Sequence, residues 1–469
     1  MAIDYQREEY KKALPKWQLV NDMAAEDNLA DYLIPLNPHD TSDDNVSRNA
    51  AYAERASFFG ATEFTLKGLN GVAFEDDPAV ALPGGLEYLL TNANGQGLDL
   101  YQQMQNTTAN VLKNARSGLF VTYPATEGDT SRADQENNRS VATIHVIDAT
   151  RIINWGYMAF GADVKLSLLV FTDTIEEFDD YEVEIKDIIR ELALEDGQFV
   201  DRKWIQPEGG GSWQVFETSE PLQGNGQRWD SIPFTFVGSE DNSERIVTPP
   251  LFSLAKMNRD HWRTSADHRE SLWFAGQVQP WASNVDEGTL EQWKKAGIYV
   301  GSRQMLCLPE GGEFGFAQAD PNTANRDELD RLEDGMAKIG ARFIEPGSAN
   351  KTAQQDAGER KVQHSILSLI SVNVEDAYQQ ACEWAGIYMN VDGDIEVTLE
   401  RAFMQPELSD AARTYILGLH DRGLIGDEDM LPILKRDKLV DSEKTEDEYV
   451  EEVRERSGNV DGVTDGVDA

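Results

Sequence analysis

The sequence predicts an α+β protein built from more than one structural unit, and three observations carry that reading. Apolar residues recur at helical spacing through the first 122 residues and again after residue 250. Between them, residues 140–247 are crowded with short alternating or β-branched runs separated by Gly- and Asp-rich turns. The chain has 469 residues, 40% of them hydrophobic, with ten Trp and eighteen Phe. That is apolar material for roughly two to four units and too long a chain for one simple core.

Taken in order, Tyr5 to Met23 reads as a helix carrying Tyr10, Leu14, Trp17 and Val20, with Pro15 expected to start or kink a turn. Tyr32 to Asp44 reads as loop, and its Thr41-Ser42-Asp43-Asp44 run can cap the next helix. Asn45 to Leu69 reads as one helix ending near Gly68 and Gly71. Leu98 to Ser117 is another, with Leu100, Met104, Thr108, Val111 and Leu112 on one side, and Leu119 to Tyr123 comes after it as a strand. Ala142 to Val146, Val164 to Phe171, Glu182 to Ile189, Trp213 to Glu217 and Ile232 to Val237 are read as strands of an antiparallel unit.

Thr248-Pro249-Pro250 ends that unit and suits the start of a long helix from Leu251 to Phe274. Glu287 to Ala296 reads as helix, and Gln304 to Leu308 with Glu313 to Phe316 as a hairpin around Glu310-Gly311-Gly312. Asn325 to Ile339 is a highly charged helix. The clearest helix spans Thr352 to Met389, where Ile366, Ile370, Ala377, Ala381, Trp384 and Tyr388 form one stripe and Asn373 is its polar exception. Ile395 to Leu399 reads as a strand, and Ser409 to Asp421 and Glu428 to Lys435 as short helices. From Asp441 the chain is an acidic tail, expected to be disordered from Gly458. No internal repeats are visible.

Asp and Glu total 84 against 42 Lys and Arg, a formal charge of -42. A charge of that size disfavours stable non-specific binding to nucleic acid, itself a dense line of phosphates, and to an anionic membrane. Two readings of the acidity stay open: adaptation to a salty medium, or a surface that must stay near nucleic acid without gripping it. Cys307 and Cys382 make neither a disulfide framework nor a zinc site and are expected as small buried residues in a reducing compartment. The N-terminus lacks the apolar core of a signal peptide, and no apolar run reaches the length of a membrane span.

Catalytic and metal motifs fail one by one. No phosphate-binding G-x-x-x-x-G-K-[ST] loop is present, and Gly209-Gly210-Gly211 lacks the Lys-Ser or Lys-Thr that such a loop needs, so it reads as a turn. His261 and His268 share a helix face but lie seven apart and need a third ligand such as Asp260 or Asp267; they read as surface or subunit-contact residues. Asn390 to Asp394 begins like a calcium loop, but Ile395 and Arg401 stand where the Gly and Glu belong, and a hairpin turn is expected instead. No G-x-S-x-G elbow occurs, and carboxylate pairs carry no weight without geometry. No enzymatic activity and no cofactor or metal are therefore expected.

A series of segments in fixed order resembles a family. These are Tyr10-Lys-Lys-Ala-Leu-Pro-Lys-Trp17 and Tyr32-Leu-Ile-Pro35; Arg55-Ala-Ser-Phe-Phe59 with Thr65-Leu-Lys-Gly-Leu69; and Arg116-Ser-Gly-Leu-Phe-Val-Thr-Tyr-Pro124. Then come Asp148-Ala-Thr-Arg-Ile-Ile-Asn-Trp155, Pro249-Pro-Leu-Phe-Ser-Leu-Ala255, His261-Trp-Arg-Thr-Ser-Ala-Asp-His268, Gly340-Ala-Arg-Phe-Ile344 and Lys351-Thr-Ala353. Their order from about residue 5 to 440 resembles the portal proteins of tailed bacteriophages, in particular a portal-like family catalogued as a domain of unknown function. The acidity and the tail after Asp441 are not part of the likeness.

The resemblance implies a portal fold assembled as a homo-oligomeric ring, usually of twelve subunits, at the capsid vertex of a virion put together in the host cytoplasm. Residues 1–250 would form most of the wing, helical over 1–122 and β-rich over 140–247. Residues 251–275 and 321–343 would be stem helices, with the clip at 276–320 between them. Residues 344–390 would hold the tunnel loop and the long wing helix, 391–440 an α-helical crown, and 441–469 the tail. Implied partners are the major capsid protein, the terminase large subunit, the head-tail adaptor, and double-stranded DNA passing without sequence recognition. Lys351, Arg360 and Lys361 are channel candidates, with a solvated helix face or salt bridges as the alternative. Trp281, Trp293, Arg303 and Phe314 are docking candidates in the clip. The alternatives are a capsid or adaptor protein without a channel, and a hydrolase, for which no residue speaks.

Overall fold

The computed structural model describes residues 2–123, 140–179, 181–207, 210–297, 308–319, 323–341, 366–399 and 410–420, with 422, 426 and 430. The architecture is α+β, with helices around antiparallel sheets. The helices are α1 (Glu8–Ala25), α2 (Asp43–Arg55), α3 (Ala61–Ala73), α4 (Leu100–Asn114), α5 (Phe252–Gly276), α6 (Glu287–Ala296), α7 (Ala324–Ala341), α8 (Ile366–Met389) and α9 (Asp410–His420). Among the described residues, no helix is long and apolar enough to cross a membrane.

A three-stranded sheet sits at the centre. β2 (Arg116–Thr122) runs between β3 (Thr143–Asp148) and β9 (Phe234–Gly238), antiparallel to both. α8 and α4 pack on it, burying Leu367, Ile370, Val374, Ala377 and Tyr378 with Met104 and Val111. α8 is buried around much more than the single stripe its spacing predicts: Cys382 and Ala385 are buried too, while Ile366 is exposed. Burial pushes the Cys382 thiol up to about 12, as for an inert apolar filler. Asn373 interrupts the stripe because its amide donates to the Gly238 carbonyl at 2.7 Å, and Asn242 donates to the Asn373 carbonyl at 2.9 Å.

Beside it, β4 (Ile152–Phe160), β5 (Asp163–Asp179), β6 (Glu182–Glu195), β7 (Gln198–Ile205) and β8 (Gln214–Ser219) form a five-stranded antiparallel meander. The single antiparallel unit expected from sequence is thus two sheets, with β4 and β7 added to the expected strands. Phe120 of β2 meets Phe171 and Phe199 of the meander at the seam. Arg116, wholly buried, lies there with its guanidinium 4.3 Å from the Trp155 ring centre and 4.8 Å from that of Phe236, donating to the Glu244 carbonyl at 3.1 Å. Burial without a carboxylate partner lowers its pKa to about 9. Short strands β1 (Ala79–Ala81) and β12 (Glu396–Thr398) pair separately.

Three local expectations are corrected. α1 begins at Glu8 and continues past Pro15 instead of starting there; Pro15 is exposed, so the carbonyl it leaves without a helical donor can face water. The expected helix from Asn45 to Leu69 is two helices, because α5 captures the backbone between them. Ser265 bonds both the amide and the carbonyl of Ser57, and Asn258 bonds the Phe59 carbonyl and the Thr62 amide. Glu313–Ala317 (β11) pairs with Gln279–Ser283 (β10); of its expected hairpin partner, Gln304 to Leu308, residues 304–307 lie outside the described ones. Asn390 to Asp394 is no hairpin turn; Asn390, at φ 50°, ends α8 in the left-handed conformation, with the Val391 amide bonded to the Gly386 carbonyl. The Ser42 cap stands as expected, accepting from the Asn45 amide at 3.3 Å.

Candidate functional site

Residues 252–341 start inside this body, where Leu254, Ala255 and Met336 join its core, and their far end reaches out from it as a projection. α5, 25 residues long, spans about 37 Å at 1.5 Å per residue. α7 returns beside it in the opposite direction. His261 meets Glu333 at 3.1 Å, and near the far end Gln318, just ahead of α7, donates to the Ala275 carbonyl at 3.0 Å. The Met257 methyl lies over Gly335, 2.3 Å from where a Cβ would stand.

α2 fastens α5 to the body. The Tyr52 hydroxyl donates to Asp267 at 2.6 Å, and Arg55 pairs with Glu270 while lying 4.5 Å from the Trp273 ring centre. Burial and the Asp267 charge both raise the Tyr52 pKa, so it remains a donor. His261 also lies against the Phe59 ring, 5.3 Å away. Its pairing with Glu333 makes it a packing contact between helices of one chain. No group of three metal-ligating side chains occurs among the described residues.

At the far end, β10 and β11 form a two-stranded sheet with α6 beyond. Trp281 stands opposite Gly315, its indole occupying the space a Cβ there would fill. Phe314 and Phe316 pack edge to face 5.1 Å apart on the other face. The structure therefore brings Trp281 and Phe314 into one small sheet, on opposite faces. Trp293 lies half-buried on α6, while Arg303, Lys351, Arg360 and Lys361 lie outside the described residues.

Two features escape the sequence reading. Leu272, Trp273 and Phe274, at the end of α5, are exposed with Val278, Trp281 and Phe316. A run of three apolar residues at a helix end is a visible signal, but a core contact explains it equally well until the fold is known. The second is an open, almost wholly apolar groove of about 720 Å³ between α3 and α7, lined by Phe59, Phe64, Leu69, Met336 and Ala337.

The family described as "Domain of unknown function (DUF4055)" matches residues 250–389, which run from the start of α5 to the end of α8 and make up less than a third of the chain. No curated protein matches. Among solved structures, the chain is similar to one in "Virion of native gene transfer agent (GTA) particle", at 13% identity and a TM-score of 0.40, covering 82% of this chain and 92% of that one. It is also similar to a chain in "Neck of native GTA particle computed with C12 symmetry", at 14% identity and a TM-score of 0.39, covering 82% and 93%. A chain in "Neck of empty GTA particle computed with C6 symmetry" has 14% identity, a TM-score of 0.38, and coverage of 80% and 89%.

Proposed function

We propose that this chain is a portal subunit, one copy of a closed ring at a virion vertex through which double-stranded DNA is packaged and ejected. The observation that carries the reading is the projection itself. An antiparallel pair of long helices leaves an α+β body and ends in a small sheet with exposed aromatic residues. Its order along the chain, helix, small sheet, helix, is the stem, clip and stem that the sequence resemblance implies. Exposed apolar residues at its tip suit contact with neighbouring copies and with docking proteins, the terminase motor first and the head-tail adaptor later.

The charge fits the same role. A duplex must pass without being held, because every tight phosphate contact is a barrier to sliding. α7 carries Asp327, Glu328, Asp330, Glu333 and Asp334 against Arg326, Arg331 and Lys338, a net negative helix on the projection. In this role the chain breaks no bonds and needs no cofactor.

Electron microscopy of the purified chain tests the reading. Closed rings, about twelve-fold, with an opening wide enough for duplex DNA are expected. Size-exclusion with light scattering that finds only monomer or dimer overturns it, and rings without an opening favour an adaptor or other capsid component. Deleting residues 277–319 should leave the body folded and abolish docking; if DNA packaging survives, the docking role of this segment is wrong.

A further inference from the structure

The hairpin of β5 and β6 outruns its sheet. β4 pairs with β5 only as far as Phe171, and β7 pairs with β6 only from Ile188 onward. Beyond these points, among the described residues, 174–179 and 182–187 pair only with each other. Six residues at about 3.3 Å each give an arm roughly 20 Å long. That exceeds the radius of gyration of about 18 Å expected for a body of about 250 residues. The arm is rooted beside α1. Arg151 donates to the Thr172 carbonyl at its base, and the neighbouring Thr150 carbonyl accepts from the Tyr10 hydroxyl.

The arm is amphipathic. Register and alternation place Val183 and Ile185 on one face, where they are 51% and 63% exposed, with Tyr181 fully exposed at the tip. Glu176 stands opposite Ile185 on that face, and Asp187 lies two residues further along it. The other face carries Glu182, Glu184 and Lys186. A two-stranded ribbon is marginal by itself in water, so an exposed apolar face on one calls for cover.

We propose that the arm clasps the next copy of this chain, laying its Val183 and Ile185 face, flanked by Glu176 and Asp187, on that copy's α1. The occupant is identified by charge. In a chain of -42, the start of α1 carries Lys11, Lys12 and Lys16 against Glu8 and Glu9, with Lys16 half-buried where its Nζ meets the Thr248 hydroxyl at 3.3 Å, and with Pro15 and Tyr5 exposed beside them. That surface is net basic within a strongly acidic chain and partly apolar, a complement to an acidic, apolar arm. Arm and acceptor are different surfaces of one chain, so the contact is head-to-tail and generates a ring if the rotation closes. The clasp rests on the proposed ring.

The test compares the full-length chain with three variants by light scattering and thermal melting. Val183→Ser/Ile185→Ser should melt like the parent yet need at least tenfold more protein to assemble. Lys12→Glu/Lys16→Glu should also weaken assembly, and adding Glu176→Lys/Asp187→Lys should restore it. The charge variants decide the matter should the serine variant fold poorly. A parent that forms rings, with variants that form them at the same concentration, or a charge swap that rescues nothing, overturns the arm alone. A parent that never forms rings overturns the ring reading as well.

Discussion

The body and the α5–α7 projection spend their aromatic residues in opposite ways. In the body, Trp17, Phe120 and Phe171 are 0–2% exposed, enclosed by helices and two sheets. At the far end of the projection, Trp273, Phe274, Trp281 and Phe316 are 44–58% exposed, whereas Trp262, nearer the body on the same helix, is 5% exposed. An interior packed to native density stabilises one chain. The tip, the ends of two helices and two short strands, has too little volume to enclose its own aromatics, so their burial waits for another molecule. The difference separates residues that serve folding from residues available for assembly.

The largest expected effect lies in the body. Trp17→Ala removes a fully buried ring that meets Tyr10 edge to face at 5.8 Å, and should cost about 4 kcal/mol in denaturant unfolding. A cost below about 1 kcal/mol would show that the body packs as loosely as the projection.

Acid should also act on the body. Burial first, and then the Arg190 charge, disfavours protonated His145 and pushes its pKa down to about 4. With the folded value below the unfolded one near 6.5, stability is complete above about pH 6.5. It is lost as pH falls toward 4, because the unfolded chain takes up the proton first. A loss of roughly 2 kcal/mol is expected over that window. His145→Gln should flatten it, and an unchanged slope would assign the acid sensitivity to other groups.

The joint between the regions comes next. Tyr52→Phe deletes the hydrogen bond to Asp267 and should cost about 1 kcal/mol, with faster amide exchange along α5 than along α8. Uniform change across both helices would mean that the projection is not held separately. The smallest effect belongs to the tip. Trp281→Ala should alter unfolding by less than about 0.5 kcal/mol while weakening assembly. A large loss of monomer stability would show that Trp281 serves the fold.

The reach of the sequence reading divides along the same line. Helices with one apolar face, α4, α5, α6 and α7, lie within a few residues of their expected bounds, because 3.6-residue spacing is a local property. The β4 and β7 strands escape it. Ile152–Phe160 and Gln198–Ile205 mix buried, half-buried and exposed positions without clean alternation, since a meander against a second sheet buries parts of both faces. Of the candidate site residues, Trp281 and Phe314 fall in one segment on sequence alone. Their exposure, the feature that matters for docking, is not legible there, because an aromatic residue looks the same in a sequence whether it is covered or bare.

The amino-acid sequence by itself determined the α+β class, the order of helix, sheet and helix, the acidity, and the absence of recognisable catalytic motifs. Each is written in local spacing or in composition. Only the tertiary structure decided that the helix expected from Asn45 breaks at Ser57, that β11 pairs with β10, and that Arg116 lies among Trp155 and Phe236. Each of those outcomes depends on a partner distant in sequence, and the partner's side chain, more than local propensity, supplies the energy that selects it.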